Sequence, residues 1–233
     1  MTVTYAETKE VPIENKEKTG SITVHKTTEG QKNIEGIKFY LRGTSDSGRA
    51  IDIPATTDKD GIAKFDGVPI GTYMVIEDEE TVPYGYLVAD EKEVKVEYAQ
   101  TIDETILNNE QTGTVKVHKK TADMTNVEGI RFILSGISDT GREIRIEATT
   151  DKDGLAKFEG VPVGTYTITE DGSTVPYGYL VADSKQVTVA YAQTVDTDMV
   201  NEKAPDTPNT GVTDNDSDGS KALCSVAIIL AGA

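Results

Sequence analysis

Three side chains, present in two copies, form the one constellation in this 233-residue sequence suited to chemistry on its own chain. They are Lys26, Glu77 and Asn108, then Lys119, Glu170 and Asn201. Lys26 ends the run SITVHK in phase with Ile22 and Val24. Glu77 follows Tyr73 and Val75 in GTYMVIED (71–78), and Glu170 follows Tyr166 and Ile168 in GTYTITED (164–171). Asn108 is in phase with Ile106. On strands, whose side chains alternate with a period of two, each of these groups shares a face with apolar neighbours. An amine, a carboxyl and a primary amide are thus predicted to meet in one core. Burial favours the neutral amine and the protonated carboxyl. The amine can then attack the asparagine side-chain carbon, while the acid polarises that amide and passes protons as ammonia departs. The product is a Lys–Asn isopeptide bond. The same residues also read as an inward ion pair at a strand end, with the asparagine capping a turn. The residues alone leave both readings open.

The elements that must position these groups come in duplicate. Gly20–Asn108 aligns with Gly113–Asn201 without a gap at an offset of 93, with 55 identities in 89 positions. Within each copy, short apolar-alternating runs are bounded by Gly, Ser and Asp clusters: 21–26, 37–41, 49–53, 62–65, 71–78, 93–98 and 104–109. DKDG at 58–61 is turn chemistry, and VPYGY at 82–86 is a corner. No helical period is present. The expectation is all-β, with two tandem Ig-like sandwiches of about seven to eight strands each. The register extends backwards, since Tyr5, Asn15 and Gly20 fall on Tyr98, Asn108 and Gly113. Residues 1–18 therefore read as the closing strands of a truncated preceding repeat, 19–110 as repeat 1 and 112–203 as repeat 2. Residues 204–220 read as a disordered linker, and 221–233 as a truncated hydrophobic segment too short to span a bilayer. Asn109 and Lys120 are out-of-register rivals to Asn108 and Lys119. A one-residue slip would send either side chain to the other face, which favours the in-register pair.

A net charge of −17 argues against electrostatic binding of nucleic acid or an anionic membrane. The single cysteine, Cys224, lies in the apolar tail, leaving the repeats without disulfides or cysteine-based metal sites. No basic, then apolar, leader opens the sequence. No nucleophile–base triad or metal cluster can be assembled, so neither a hydrolase nor a cofactor is expected. His25 and His118 point away from the lysines they precede. Asp58 and Asp60 lack the remaining ligands of a calcium loop.

GSITVHK, TTDKDGIAKFDGVPIGTYMVIED, VPYGY and ILNN together resemble the collagen-adhesin B-type repeat, the prealbumin-like domain of Gram-positive adhesin stalks and SpaA-type pilins. The resemblance implies that Lys26 and Lys119 are nucleophiles, Glu77 and Glu170 proton shuttles, and Asn108 and Asn201 electrophiles. TPNTG (Thr207, Pro208, Asn209, Thr210, Gly211) resembles the LPxTG signal read by sortases, with Thr207 in the usual Leu position. It implies a parent protein joined to peptidoglycan at the cell wall, outside the cell. The function implied is a structural stalk that turns nothing over, each repeat stabilised by its own isopeptide bond. On that reading a host extracellular-matrix protein or glycan would be met through a distal domain; the alternative is that the repeats themselves bind such a partner.

Overall fold

The structure is a computed structural model and describes residues 15–30, 34–123 and 128–205. Repeat 1 contributes β1 (Thr19–Thr28), β2 (Lys38–Ser45), β3 (Ala50–Thr56), β4 (Ile62–Pro69), β5 (Gly71–Glu77), β6 (Lys92–Val96) and β7 (Thr101–Asn108). Repeat 2 follows with β8 (Thr112–Thr121), β9 (Arg131–Ser138), β10 (Glu143–Thr149), β11 (Leu155–Pro162), β12 (Gly164–Glu170), β13 (Lys185–Val189) and β14 (Thr194–Asn201). Among the described residues each repeat thus has seven strands, at the lower end of the expected count. A 3-10 turn at Glu79–Thr81, capped by the Asp78 side chain, interrupts the strand pattern before the VPYGY corner.

Each repeat packs a three-stranded sheet on a four-stranded one. The orders are β4-β1-β7 against β3-β2-β5-β6, and β11-β8-β14 against β10-β9-β12-β13. All pairings are antiparallel except β1 with β7 and β8 with β14, where first and last strands run parallel as neighbours. The alternation that predicts a half-buried strand is realised along β1, where Ile22, Val24 and Lys26 are buried and the residues between them are half-exposed. Phe39, Leu41, Phe65, Tyr73 and Val75 complete the first core, and Phe132, Leu134, Phe158, Tyr166 and Ile168 the second. The Tyr73 hydroxyl satisfies itself inside that core by donating to the Pro69 carbonyl at 2.8 Å, as Tyr166 does to Pro162.

The start of β1 passes very close to the turn that joins β6 and β7. A Cβ placed on Gly20 would lie 2.5 Å from the Glu97 carbonyl oxygen and 2.8 Å from that of Gln100. These are backbone atoms that cannot swing aside. Gly20→Ala should therefore destabilise repeat 1 by about 1–3 kcal/mol through overpacking. A chemical-unfolding midpoint equal to that of the parent chain would show that the turn yields freely.

Residues 15–18 carry no strand, and Asn15 is exposed. The rest of the predicted truncated repeat, residues 1–14, lies outside the described residues. So do the TPNTG motif, all but the first two residues of the expected linker, and the hydrophobic segment.

Candidate functional site: a buried lysine, glutamate and asparagine

Lys26 lies near the end of β1, Asn108 closes β7 beside it, and Glu77 ends β5 on the facing sheet. The parallel register sets Lys26 opposite Ile106 and Thr28 opposite Asn108, so the amine must reach two residues along the neighbouring strand. A lysine side chain spans that offset. All three groups are removed from solvent, with Lys26 1 %, Glu77 6 % and Asn108 0 % exposed. Of their out-of-register neighbours, Asn109 is exposed and Lys120 half-exposed.

The Lys26 amine touches the Asn108 side-chain oxygen and lies 3.4 Å from Glu77 Oε1. It also donates to the carbonyls of Ile106 at 3.1 Å and Thr27 at 2.9 Å. The Asn108 side-chain nitrogen donates to Glu77 Oε2 at 2.9 Å, and the Ala89 amide donates to the same oxygen at 2.8 Å. The glutamate therefore bridges the amine and the nitrogen that would leave. Its other partner, the Ala89 backbone, fixes the carboxyl plane.

Repeat 2 reproduces the arrangement with one difference. Lys119 lies 3.0 Å from Glu170 Oε1 and donates to the Met199 carbonyl at 3.2 Å. The Asn201 nitrogen donates to Glu170 Oε2 at 2.5 Å and to the Leu180 carbonyl at 2.7 Å, while Ala182 donates to Glu170 at 2.7 Å. The Asn201 oxygen, however, is buried without a hydrogen-bond partner. In repeat 1 the corresponding oxygen is met by the lysine.

Burial lowers both lysine pKa values from the ordinary 10.5, against the opposing pull of the neighbouring glutamate. Between that lowered value and 10.5 the unfolded chain holds more protons than the folded one, so stability from this group rises with pH across the window. Asn108→Ala, which keeps the pair without an electrophile, should accordingly gain stability as pH climbs toward 10.5. The reference is Lys26→Met with Asn108→Ala, and parallel pH profiles for the two would show that Lys26 stays fully charged when folded.

The remaining sequence-predicted features fall into place around this site. His25 and His118 are partly exposed on the outer face and pair with Asp103 and Asp196. Asp58 accepts from the amides of Asp60 and Ile62, which makes DKDG a hairpin turn. Of the corner tyrosines, Tyr86 is buried and Tyr84 is exposed. Sequence reasoning missed the backbone donors Ala89 and Ala182. The identical YLVAD runs in which they sit are the only available signal.

The prealbumin-like fold domain family of SpaA matches residues 20–111 and again 113–203. The chain belongs to this family. Among solved structures, the chain is similar to the Bacillus anthracis TIE protein, with 24% identity and a TM-score of 0.57 over 80% of this chain and 34% of that one. It thus spans about a third of that protein, and the likeness is one of fold. Two further structures match: GBS52, the minor pilin of Streptococcus agalactiae, and the shaft pilin SpaA of Lactobacillus rhamnosus GG. The first is 18% identical with a TM-score of 0.38, covering 83% of this chain and 99% of that one. The second is 16% identical with a TM-score of 0.36, covering 82% and 100%. No curated protein matches the chain. The chain thus carries two such prealbumin-like domains in tandem.

Proposed function

We propose that each prealbumin-like repeat cross-links itself through an isopeptide bond, Lys26 to Asn108 and Lys119 to Asn201, and that the pair serves as a stalk segment. The observation that carries this reading is the burial of amine, carboxyl and amide together where the first strand lies beside the last. The lysine nitrogen bonds to the asparagine side-chain carbon, and the carbon–nitrogen bond to the amide nitrogen breaks. The nitrogen leaves as ammonia, with its third proton delivered from the lysine through Glu77 or Glu170. No oxidant or cofactor enters the balance. Each glutamate acts once, on its own chain, so the domain is a structural part and not an enzyme.

The match of both repeats to the SpaA prealbumin-like domain family supports a place on the surface of a Gram-positive cell. On this reading the parent protein is a sortase substrate joined to peptidoglycan through Thr210 of TPNTG, and the repeats hold a distal domain away from the wall. The test is the intact mass of the purified chain together with its digest. A deficit of two ammonia molecules, with Lys26 and Lys119 peptides joined to those of Asn108 and Asn201, supports the proposal. A full-length mass in folded protein leaves two buried ion pairs and overturns it.

A further inference from the structure

The junction between the two repeats is built from groups that the cross-link does not use. Glu110, whose side chain is fully buried, is gripped by the Arg142 guanidinium and the Thr140 hydroxyl of repeat 2. The Gln111 amide donates to the Gly85 carbonyl, and its own carbonyl accepts from the Val163 amide, at 2.7 and 2.9 Å. Its side chain also donates to the Tyr86 carbonyl. The Tyr-Gly-Tyr corner of repeat 1 is thereby seated on repeat 2. A Cβ on Gly85 would meet the Thr140 methyl at 2.7 Å, and Gly85 sits at φ +90, so only glycine fits both the turn and the contact.

Shifted back by 93 residues, the receiving half of this joint exists again on repeat 1. Glu17, the counterpart of Glu110, pairs with Arg49 at 3.1 Å and accepts from Ser47 at 2.5 Å. The Ile70 amide donates to the Lys18 carbonyl at 3.0 Å, as Val163 does to Gln111. What differs is the cover. The Glu17 side chain is 36 % exposed where that of Glu110 is 0 %. Ile70 and Pro69 line an open, mainly apolar hollow of about 260 Å³ where Val163 is buried.

The giving half is repeated in its Tyr-Gly-Tyr corner (177–179) but not in its carboxylates. In repeat 2 the position of Glu110 is Lys203, which pairs with Asp123 at 3.3 Å, and the position of Glu29 is Ala122. Glu29 stands 3.7 Å from Arg142 in the existing joint. An arginine arriving at the far pole of repeat 2 would face a lysine.

We infer that the Ser47–Ile70–Arg49 face of repeat 1 is the seat for the Tyr-Gly-Tyr corner of another repeat of this kind, placed before it in the same polypeptide. Joints of this type run one way, with a carboxylate-bearing pole entering an arginine-bearing one. The inference goes beyond the stalk reading and depends on neither isopeptide bond.

The test is a three-repeat chain in which a copy of Gly20–Asn108 replaces Met1–Asn15 and Cys224 is changed to Ser. Spin labels on Lys64→Cys and its counterpart in the copy report the new joint, and labels on Lys64→Cys and Lys157→Cys report the existing one. The distance distribution across the new joint should be as narrow as that across the old. Arg49→Glu should broaden only the new joint, and Arg142→Glu only the old. A new joint that is broad whatever occupies position 49 overturns the seat. A concentration-dependent dimer of the two-repeat chain, abolished by Arg49→Glu, overturns it in favour of a second molecule as occupant. A copy of residues 112–203 placed after Ala204 should give a broad distribution that Lys203→Glu narrows. A narrow one with Lys203 in place would overturn the directionality.

Discussion

Pulled from its two ends, each repeat should show no unfolding step, whereas Asn108→Ala should release repeat 1 in one step. The freed contour is roughly 270 Å, from the 82 residues between Lys26 and Asn108 at about 3.3 Å each. The reason lies in the strand order. Tension arriving at Thr19 runs along β1 and leaves along β7, and these strands are parallel neighbours. A bond between Lys26 and Asn108 carries the load across before it reaches β2 to β6. Without that bond, the same tension shears the ladder between β1 and β7 and then peels the rest. Single-molecule stretching decides the matter. Full-length steps in protein whose mass already shows the loss of ammonia would mean that the link lies off the load path.

Removing one carboxyl should be nearly as consequential. Glu77→Ala should fold, keep one more ammonia than the parent, and leave the Lys119–Asn201 bond intact. General acid–base assistance is worth about 10²–10⁴ in rate, and among the described residues Glu77 is the one carboxylate paired with the Lys26 amine. Losing closure of so long a loop costs about 4.5 kcal/mol by the chain-entropy estimate. For a domain of this size that corresponds to a fall in Tm of roughly 20–35 °C in repeat 1. Calorimetry should split one transition into two, with the upper one unchanged. Glu77→Gln separates shape from chemistry: it retains a partner for the Ala89 amide but cannot donate as an acid. Complete cross-linking in Glu77→Ala at the parental rate would remove the glutamate from the mechanism and leave it as a buried counter-ion.

The residues show why so much of this was legible in advance. Lys26, Glu77 and Asn108 each sit on a strand with strict alternation, so a period of two suffices to put them in one core. The ungapped duplication then chooses between Asn108 and Asn109 and between Lys119 and Lys120. The joint was not legible. Glu110 and Arg142 look like two surface charges 32 residues apart, and nothing local distinguishes them from exposed pairs such as Arg42 with Asp52. Only the seating of one repeat on the next buries the carboxylate. The role of Ala89 was hidden for a different reason. A backbone amide has no residue type to read, and its position follows from the path of the YLVAD segment over the sheet edge.

The near-identity of the two halves poses a problem of assembly. Lys26 has two chemically equivalent asparagines in the same chain, and a product joined crosswise, Lys26 to Asn201 and Lys119 to Asn108, would weigh the same as the correct one. Order of synthesis offers a way out. The chain is made from its N-terminus at about 5–20 residues per second, so β14 trails β7 by roughly 5–20 s. If β1 takes up β7 and the bond closes within that interval, the rival strand emerges to find its competitor's place sealed. Refolding from denaturant grants no such head start. Unlinked chains returned to native conditions at full length should therefore yield topological isomers that chains released from the ribosome do not.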